Sequence, residues 1–239
     1  MIANDYYESI DALLAKIYKK QQETIKEIAN KVGENLSEGG ILHTFGSGHS
    51  SMIAKEITGR AGGLVPINQI IDPTEGMAER VGGYADYLLE DYEKRYQMEP
   101  GEFILVISNS GRNPLPIEIA LGAKHRDMNV VAITSIQYSS AVNSRHSSNK
   151  KLYEIADHVL DNYVDFGDTL VSIPNSEMKT GAGSTIAGAF LANLLALNII
   201  QYFNDKELEA PILKSRNIDG ADEFNDKLIE QYGSRLSWC

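Results

Sequence analysis

Two short stretches of the chain concentrate the residue types that hold an anion. The first is Gly46-Ser47-Gly48-His49-Ser50-Ser51, and the second is Ser108-Asn109-Ser110-Gly111-Arg112-Asn113-Pro114. Small residues let a ligand approach the backbone, hydroxyls supply donors, and each stretch precedes a helical pattern whose free N–H groups and dipole favour negative charge. Pro114 suits the first position of such a helix. A phosphate is the obvious candidate. The alternative is plain helix capping, at which Ser and Asn are common. Capping needs one such residue per helix, and Ser108, Ser110 and Asn113 exceed that. A dinucleotide site is disfavoured, because Ser51 fills the third glycine position and Asn68 stands where an acid is wanted. No Gly-Lys-Ser/Thr triplet of a Walker A loop occurs.

The elements that position these turns follow from periodicity. Apolar residues at Ile10, Leu13, Leu14, Ile17, Ile25, Ile28, Val32 and Leu36 predict a long helical segment over 4–37. Asn4 is its expected N-cap, Gly39-Gly40 its stop, and a break is expected near Gln21. Its apolar stripe is longer than one sheet face covers, which leaves a second chain to cover the rest. Short apolar, β-branched runs at Ile41–Phe45, Leu64–Ile67, Phe103–Ile107, Val130–Thr134, His158–Leu160 and Leu170–Ile173 read as strands. Helical stretches lie between most of them, over Ser50–Arg60, Pro114–Met128 and Gly183–Phe203. Strands alternating with helices imply right-handed βαβ units in a doubly wound α/β sandwich. In such a sheet ligands bind beyond the carboxyl ends of the strands, where both turns fall. The acidic, tyrosine-rich segment over about 72–97 is too polar for a core strand and reads as a helical insertion near that edge. No Pro- or Gly-rich linker divides the chain, so a single domain over 1–239 is expected.

Composition narrows the partners. The 33 Asp and Glu against 22 Lys and Arg leave a net charge of −11, which repels nucleic acid and anionic lipid. A single cysteine, Cys239, allows neither a disulfide framework nor a cysteine-based zinc site and fits a reducing compartment. The N-terminal stretch carries acids where a secretory signal carries cations. The longest apolar run, Ala187 to Ile200, falls short of the roughly 20 residues that span a bilayer. The expected setting is cytoplasmic, without membrane or nucleic-acid contact.

Gly46-Ser47-Gly48-His49-Ser50, then Glu56-Ile57-Thr58-Gly59-Arg60, then Ser108-Asn109-Ser110-Gly111-Arg112-Asn113-Pro114 together resemble the sugar isomerase (SIS) phosphosugar-binding domain. The pattern is most similar to the phosphoheptose isomerase branch and to an uncharacterised SIS family of about 240 residues, close to the 239 of this chain. Thr134-Ser135, Lys151 to Asp157, Asp161-Asn162, Gly167-Asp168 and Lys179 to Ser184 add to the likeness with the latter. The resemblance implies a three-layer αβα sandwich with a five-stranded parallel, flavodoxin-like sheet, assembled as a homodimer or homotetramer. It implies that the second turn, Ser108, Asn109, Ser110, Gly111 and Asn113, holds the phosphate of a sugar phosphate. Gly46, Ser47, Gly48, His49 and Ser50 of the first turn would then line the sugar.

Aldose–ketose isomerisation moves a proton between adjacent carbons and needs a base near the carbon and an acid near the oxygen. By resemblance Glu56 matches the base of phosphoheptose isomerases, about one helical turn nearer the first turn than is usual there. An i,i+4 ion pair with Arg60 is its structural alternative. The histidine that such enzymes carry on the last long helix is missing here, where Asn193 falls near its place. His49 is the available second acid–base group. His, Asp and Glu show no compact metal-ligand spacing, so no cofactor is expected; zinc enters by family resemblance alone. Two functions fit: a sugar-phosphate isomerase with Glu56 as base, and a non-catalytic sugar-phosphate binder that regulates a partner.

Overall fold

The computed structural model describes all residues, 1–239. Helix α1 (Ile2–Ser37) leads into β1 (Leu42–Gly46), α2 (Ser50–Glu56), β2 (Ile67–Ile70), α3 (Tyr84–Tyr96), β3 (Phe103–Ile107) and α4 (Pro114–Lys124). There follow β4 (Asn129–Thr134), the short helices α5 (Ile136–Ser140) and α6 (Leu152–Ile155), and β5 (His158–Asp161). A hairpin of β6 (Val171–Ser172) and β7 (Lys179–Thr180), the long α7 (Ser184–Asp205), α8 (Ala221–Glu230) and a 3₁₀ turn over Gly233–Arg235 complete the chain. Five strands pair in parallel in the order β2-β1-β3-β4-β5. This is the flavodoxin-like doubly wound order, and its chain reversal lies between β1 and β3.

The strands are buried on both faces, as a parallel sheet demands. Phe103, Leu105 and Ile107 of β3 join one core with α1, α2 and α7, while Ile104 and Val106 join the other with α3 and α4. The alternation is the period of two of an extended chain. Ile25, Ile28 and Val32 of α1 pack with Leu191, Leu195 and Ile199 of α7, so the chain itself covers the apolar stripe left over from the sheet.

Several expectations are corrected. Helix α1 begins at Ile2, with Met1 rather than Asn4 at its cap, and runs without a break. Gln21, where a break was expected, is buried and donates to the Tyr163 hydroxyl at 2.9 Å, so long-range contact replaces the helix stop. The second strand lies at Ile67–Ile70, three residues later than the apolar run suggests; Leu64 instead forms a single bridge with Ile212. The Leu170–Ile173 run forms the small hairpin, outside the main sheet. In the acidic segment, Ala85, Leu88, Leu89 and Tyr92 of α3 pack into the second core, which makes it a covering helix of the sandwich. Helix α7 is 22 residues long and apolar enough by length and composition to cross a membrane, against the expectation of a shorter run. Its Ala187, Leu191, Leu195, Ile199 and Phe203 are buried in the core.

Candidate functional site

Both turns leave the carboxyl ends of neighbouring strands, β1 and β3, which pair as Gly46 with Ile107. In the second turn the backbone itself is the notable feature. The carbonyls of Asn109, Gly111 and Arg112 accept from Ser135, Leu152 and Arg145 at 3.0, 2.9 and 2.8 Å. The five successive N–H groups of residues 109–113 have no hydrogen-bond partner in the protein. Carbonyls turned inward and amides turned outward make a concave nest that binds anions. Gly111 holds φ +56°, and a Cβ there would meet the Ser139 and Thr134 hydroxyls at 3.1 Å, so glycine is required. Asn113 sits at the N-cap of α4 with its side chain turned away from the helix; its Oδ1 accepts from Arg145 Nη1 at 2.9 Å. The hydroxyls of Ser108 and Ser110 bond to no protein group. Capping does not account for this turn.

The first turn is built by close approach. A Cβ on Gly46 would lie 2.3 Å from the Ser50 carbonyl, and Gly48 takes φ +56°. Ser47 Oγ donates to Asp72 Oδ2 at 3.0 Å, where the Gly76 N–H also donates at 3.0 Å; Thr74 supplies its N–H and hydroxyl to Oδ1. Burial pushes the Asp72 carboxyl up, but these donors outweigh it and hold it below the usual carboxylate range. Asp72 thus ties the loop after β2 to the first turn. His49 is the N-cap residue of α2 without a side-chain cap bond, and Ser50 has no hydroxyl partner.

The two turns share one open cleft of about 370 Å³, lined by Ser47, His49, Ser50, Ser108, Ser110 and Asn113 among others. Glu75, Glu79, Tyr138, Asp168 and Ser184 complete its walls. Asp168 accepts the Gly183 and Ser184 N–H groups at 3.1 and 2.8 Å and the Ser184 hydroxyl at 2.6 Å, capping α7 at the cleft. Sequence reasoning missed Asp72, Asp168 and Ser184 as site residues. The Gly167-Asp168 and Lys179 to Ser184 matches were the available signal for the last two.

Glu56 is not in that cleft. It lies at the end of α2 in an adjoining cavity of about 780 Å³ that shares Gly48 and Glu75 with it. Its Oε1 pairs with Arg60 and accepts from Asn193 Nδ2 of α7 at 3.3 Å. The ion pair given as the alternative is therefore formed, and the helix position that lacks a histidine does touch Glu56. His49 and Glu56 are seven residues apart on one helix, about 10 Å along its axis. Of the other histidines, His43 is buried in the second core's face and His125 caps α4. Within the one chain no three His, Cys, Asp or Glu side chains gather in an arrangement that could hold a metal ion.

The family model described as "SIS domain" matches residues 5–135, more than half of the chain. A UPF0309 protein of Halalkalibacterium halodurans is 40% identical over 233 residues, covering 95% of this chain and 96% of that protein. Among solved structures, a phosphoheptose isomerase from Francisella tularensis superposes with a TM-score of 0.58 at 18% identity, covering 83% of this chain and 96% of that one. The NanR protein of Vibrio vulnificus, complexed with ManNAc-6P, superposes with a TM-score of 0.54 at 16% identity, covering 96% and 69%. Identity that low speaks for the fold. The site's two turns lie inside the matched span, and the chain belongs to the SIS domain family, among the UPF0309 proteins.

Proposed function

We propose that the protein binds a sugar phosphate in the cleft between the two turns and isomerises it between aldose and ketose forms. The observation that carries this reading is the run of unpartnered N–H groups at 109–113, flanked by the free hydroxyls of Ser108 and Ser110. Such a nest holds a phosphate in an acidic protein without relying on lysines. Membership of the SIS domain family and the likeness to a phosphoheptose isomerase support the substrate class.

With the phosphate in the second turn, the sugar runs past Ser47, Gly48 and Ser50 toward the Glu56 cavity. Glu56 takes the proton from the hydroxyl-bearing carbon next to the carbonyl, giving an enediol, and returns it to the former carbonyl carbon, while the hydroxyl proton passes through water in the open cleft to the former carbonyl oxygen. His49, two helical turns away, donates to a hydroxyl nearer the phosphate. Asn193 and Arg60 orient the Glu56 carboxylate. Self-association as a homodimer or homotetramer is part of this proposal; exposed Ile186 and Leu197 on α7 supply apolar surface for it.

Incubation with aldose and ketose phosphates followed by NMR tests the activity. Glu56→Gln is expected to keep ligand-induced thermal stabilisation and to lose turnover by more than about a hundredfold. Unchanged turnover in that variant removes Glu56 from the mechanism. The pairing of Glu56 with Arg60 favours a second function, a binder without chemistry. Stabilisation of the wild type by sugar phosphates with no interconversion would establish it.

A further inference from the structure

The chain has eight arginines, and five of them pair with carboxylates: Arg60, Arg95, Arg126, Arg216 and Arg235. Arg80, Arg112 and Arg145 pair with none, and they lie together at the outer side of the second turn. Arg112 belongs to the turn, and its carbonyl accepts the Arg145 N–H at 2.8 Å. Arg145 in turn donates to Asn113. The Glu79 carbonyl accepts the Leu115 N–H at 3.1 Å, which lays Arg80 along the first turn of α4. Partial burial, then the charges of Arg112 and Arg80, lower the pKa of Arg145; Glu79 and Tyr138 act the other way.

Like charges gathered without a carboxylate are unfavourable unless an anion joins them. Arg112 Nε is fully buried with no hydrogen-bond partner, an unmet donor of the kind that points to a missing acceptor. The neighbouring acids do not supply it. Glu118 is engaged by the Gly83 N–H at 2.9 Å and faces His146 at 3.6 Å, while Glu79 lines the cleft. None of the three guanidinium groups lines the cleft, although Glu79, Asn113 and Tyr138 beside Arg145 do. The Arg145 bond to Asn113 Oδ1, a residue of the cleft wall, sets the cluster beside the cleft at that wall.

We propose that Arg80, Arg112 and Arg145 form a second anion subsite beside the cleft, which takes a second phosphate of the same ligand and selects for sugar bisphosphates. This rests on the sugar-phosphate function of the cleft. Planar guanidinium forks match phosphate oxygens two at a time, which suits a dianionic group.

Isothermal titration of the full chain with fructose 6-phosphate and fructose 1,6-bisphosphate at low salt tests the subsite. The bisphosphate is expected to bind roughly tenfold or more tightly, with the advantage shrinking as salt rises. Arg80→Gln, at an exposed position clear of the turn, is expected to cut the advantage at least about threefold and to leave the monophosphate within about twofold. Arg80→Lys retains part of the advantage, which separates charge from folding. Equal binding of the two ligands by the wild type, with both bound, overturns the subsite and leaves the cleft's function standing. Equal weakening of both by Arg80→Gln also overturns it, since the arginines would then serve the first phosphate. Binding of neither ligand overturns the cleft's function along with the subsite.

Discussion

At the amino ends of β1 and β3 the polar side chains are buried and, Arg235 Nε apart, bound to one another, whereas at the carboxyl end of β3 a row of donors has nothing in the protein to bind. Glu102, just ahead of β3, shows the first condition. Its two oxygens accept from the Ile41 N–H at 2.9 Å, His43 Nε2 at 2.9 Å, the Glu99 N–H at 2.9 Å and Arg235 Nη2 at 2.6 Å. A carboxylate can only accept, so Nε2 carries the proton and His43 Nδ1 accepts from the Tyr92 hydroxyl at 2.8 Å. That hydroxyl accepts from Asn68 Nδ2, which also donates to the Arg235 carbonyl. The network locks the C-terminal tail against the edge strand, where Trp238 Nε1 donates to the Ile67 carbonyl at 2.9 Å. The nest at 109–113 shows the second condition: donors in a row, held by carbonyls bonded on the other side. Since buried polar groups in a native fold are nearly always paired, a satisfied network marks what holds the chain and an unsatisfied row marks where a ligand belongs.

Breaking the satisfied end should cost the most stability. Glu102→Ala leaves His43 and the Arg235 charge without their partner and is expected to destabilise the protein by about 3–5 kcal/mol, read from urea unfolding. At the other end, Gly111→Ala forces a Cβ into left-handed backbone against two hydroxyls. About 1–3 kcal/mol of destabilisation is expected, together with loss of sugar-phosphate binding by titration.

The two ends also differ in pH response. Burial holds His43 below the usual imidazole range, with Glu102 pulling the other way. Burial raises Glu102, but the His43, Glu99 and Arg235 donors outweigh it and hold the carboxyl low. In each case the unfolded chain takes up its proton at a higher pH than the folded one. The stability they contribute is complete above the unfolded value of 6.5 for histidine. It is lost as the medium is acidified, first through His43 and then, below the unfolded value of 4.5, through Glu102. Urea midpoints followed from neutral to acid pH are expected to fall monotonically. His43→Gln is expected to flatten the upper part of that slope and to leave the lower part.

The smallest stability effect is expected from Ser108→Ala combined with Ser110→Ala. Neither hydroxyl bonds to the protein, so unfolding should change by no more than about 0.5 kcal/mol.

Much of this difference was legible in the sequence, and the reasons for the misses are physical. The strands β1, β3, β4 and β5 announced themselves as apolar β-branched runs, and the two turns as Ser- and Gly-rich stretches directly after them. Strand β2 did not, because its Asn68 and Gln69 are polar residues made buriable by Tyr92, the tail and the Ser51 carbonyl, all distant in sequence. Helix α8 and the tail went unread for the same reason: their apolar contacts with Ile41 and Val65 form only in the folded chain. Asp72 looked like an ordinary acid of an acidic protein, and Asp168 stood in a family match that carried no role. Their roles lie in backbone N–H groups four and fifteen residues away. The arginine cluster joins residues 80, 112 and 145, which no local charge count brings together.

The most direct test of the central claim is a thermal-shift comparison of the wild type and the Ser108→Ala/Ser110→Ala variant, each against matched phosphorylated and unphosphorylated sugars. The wild type is expected to be stabilised by sugar phosphates and not by the free sugars, and the variant to melt at the wild-type temperature with the ligand-induced shift largely lost. A wild type indifferent to every sugar phosphate, or a variant that keeps the full shift, would contradict a phosphate held at the carboxyl end of β3.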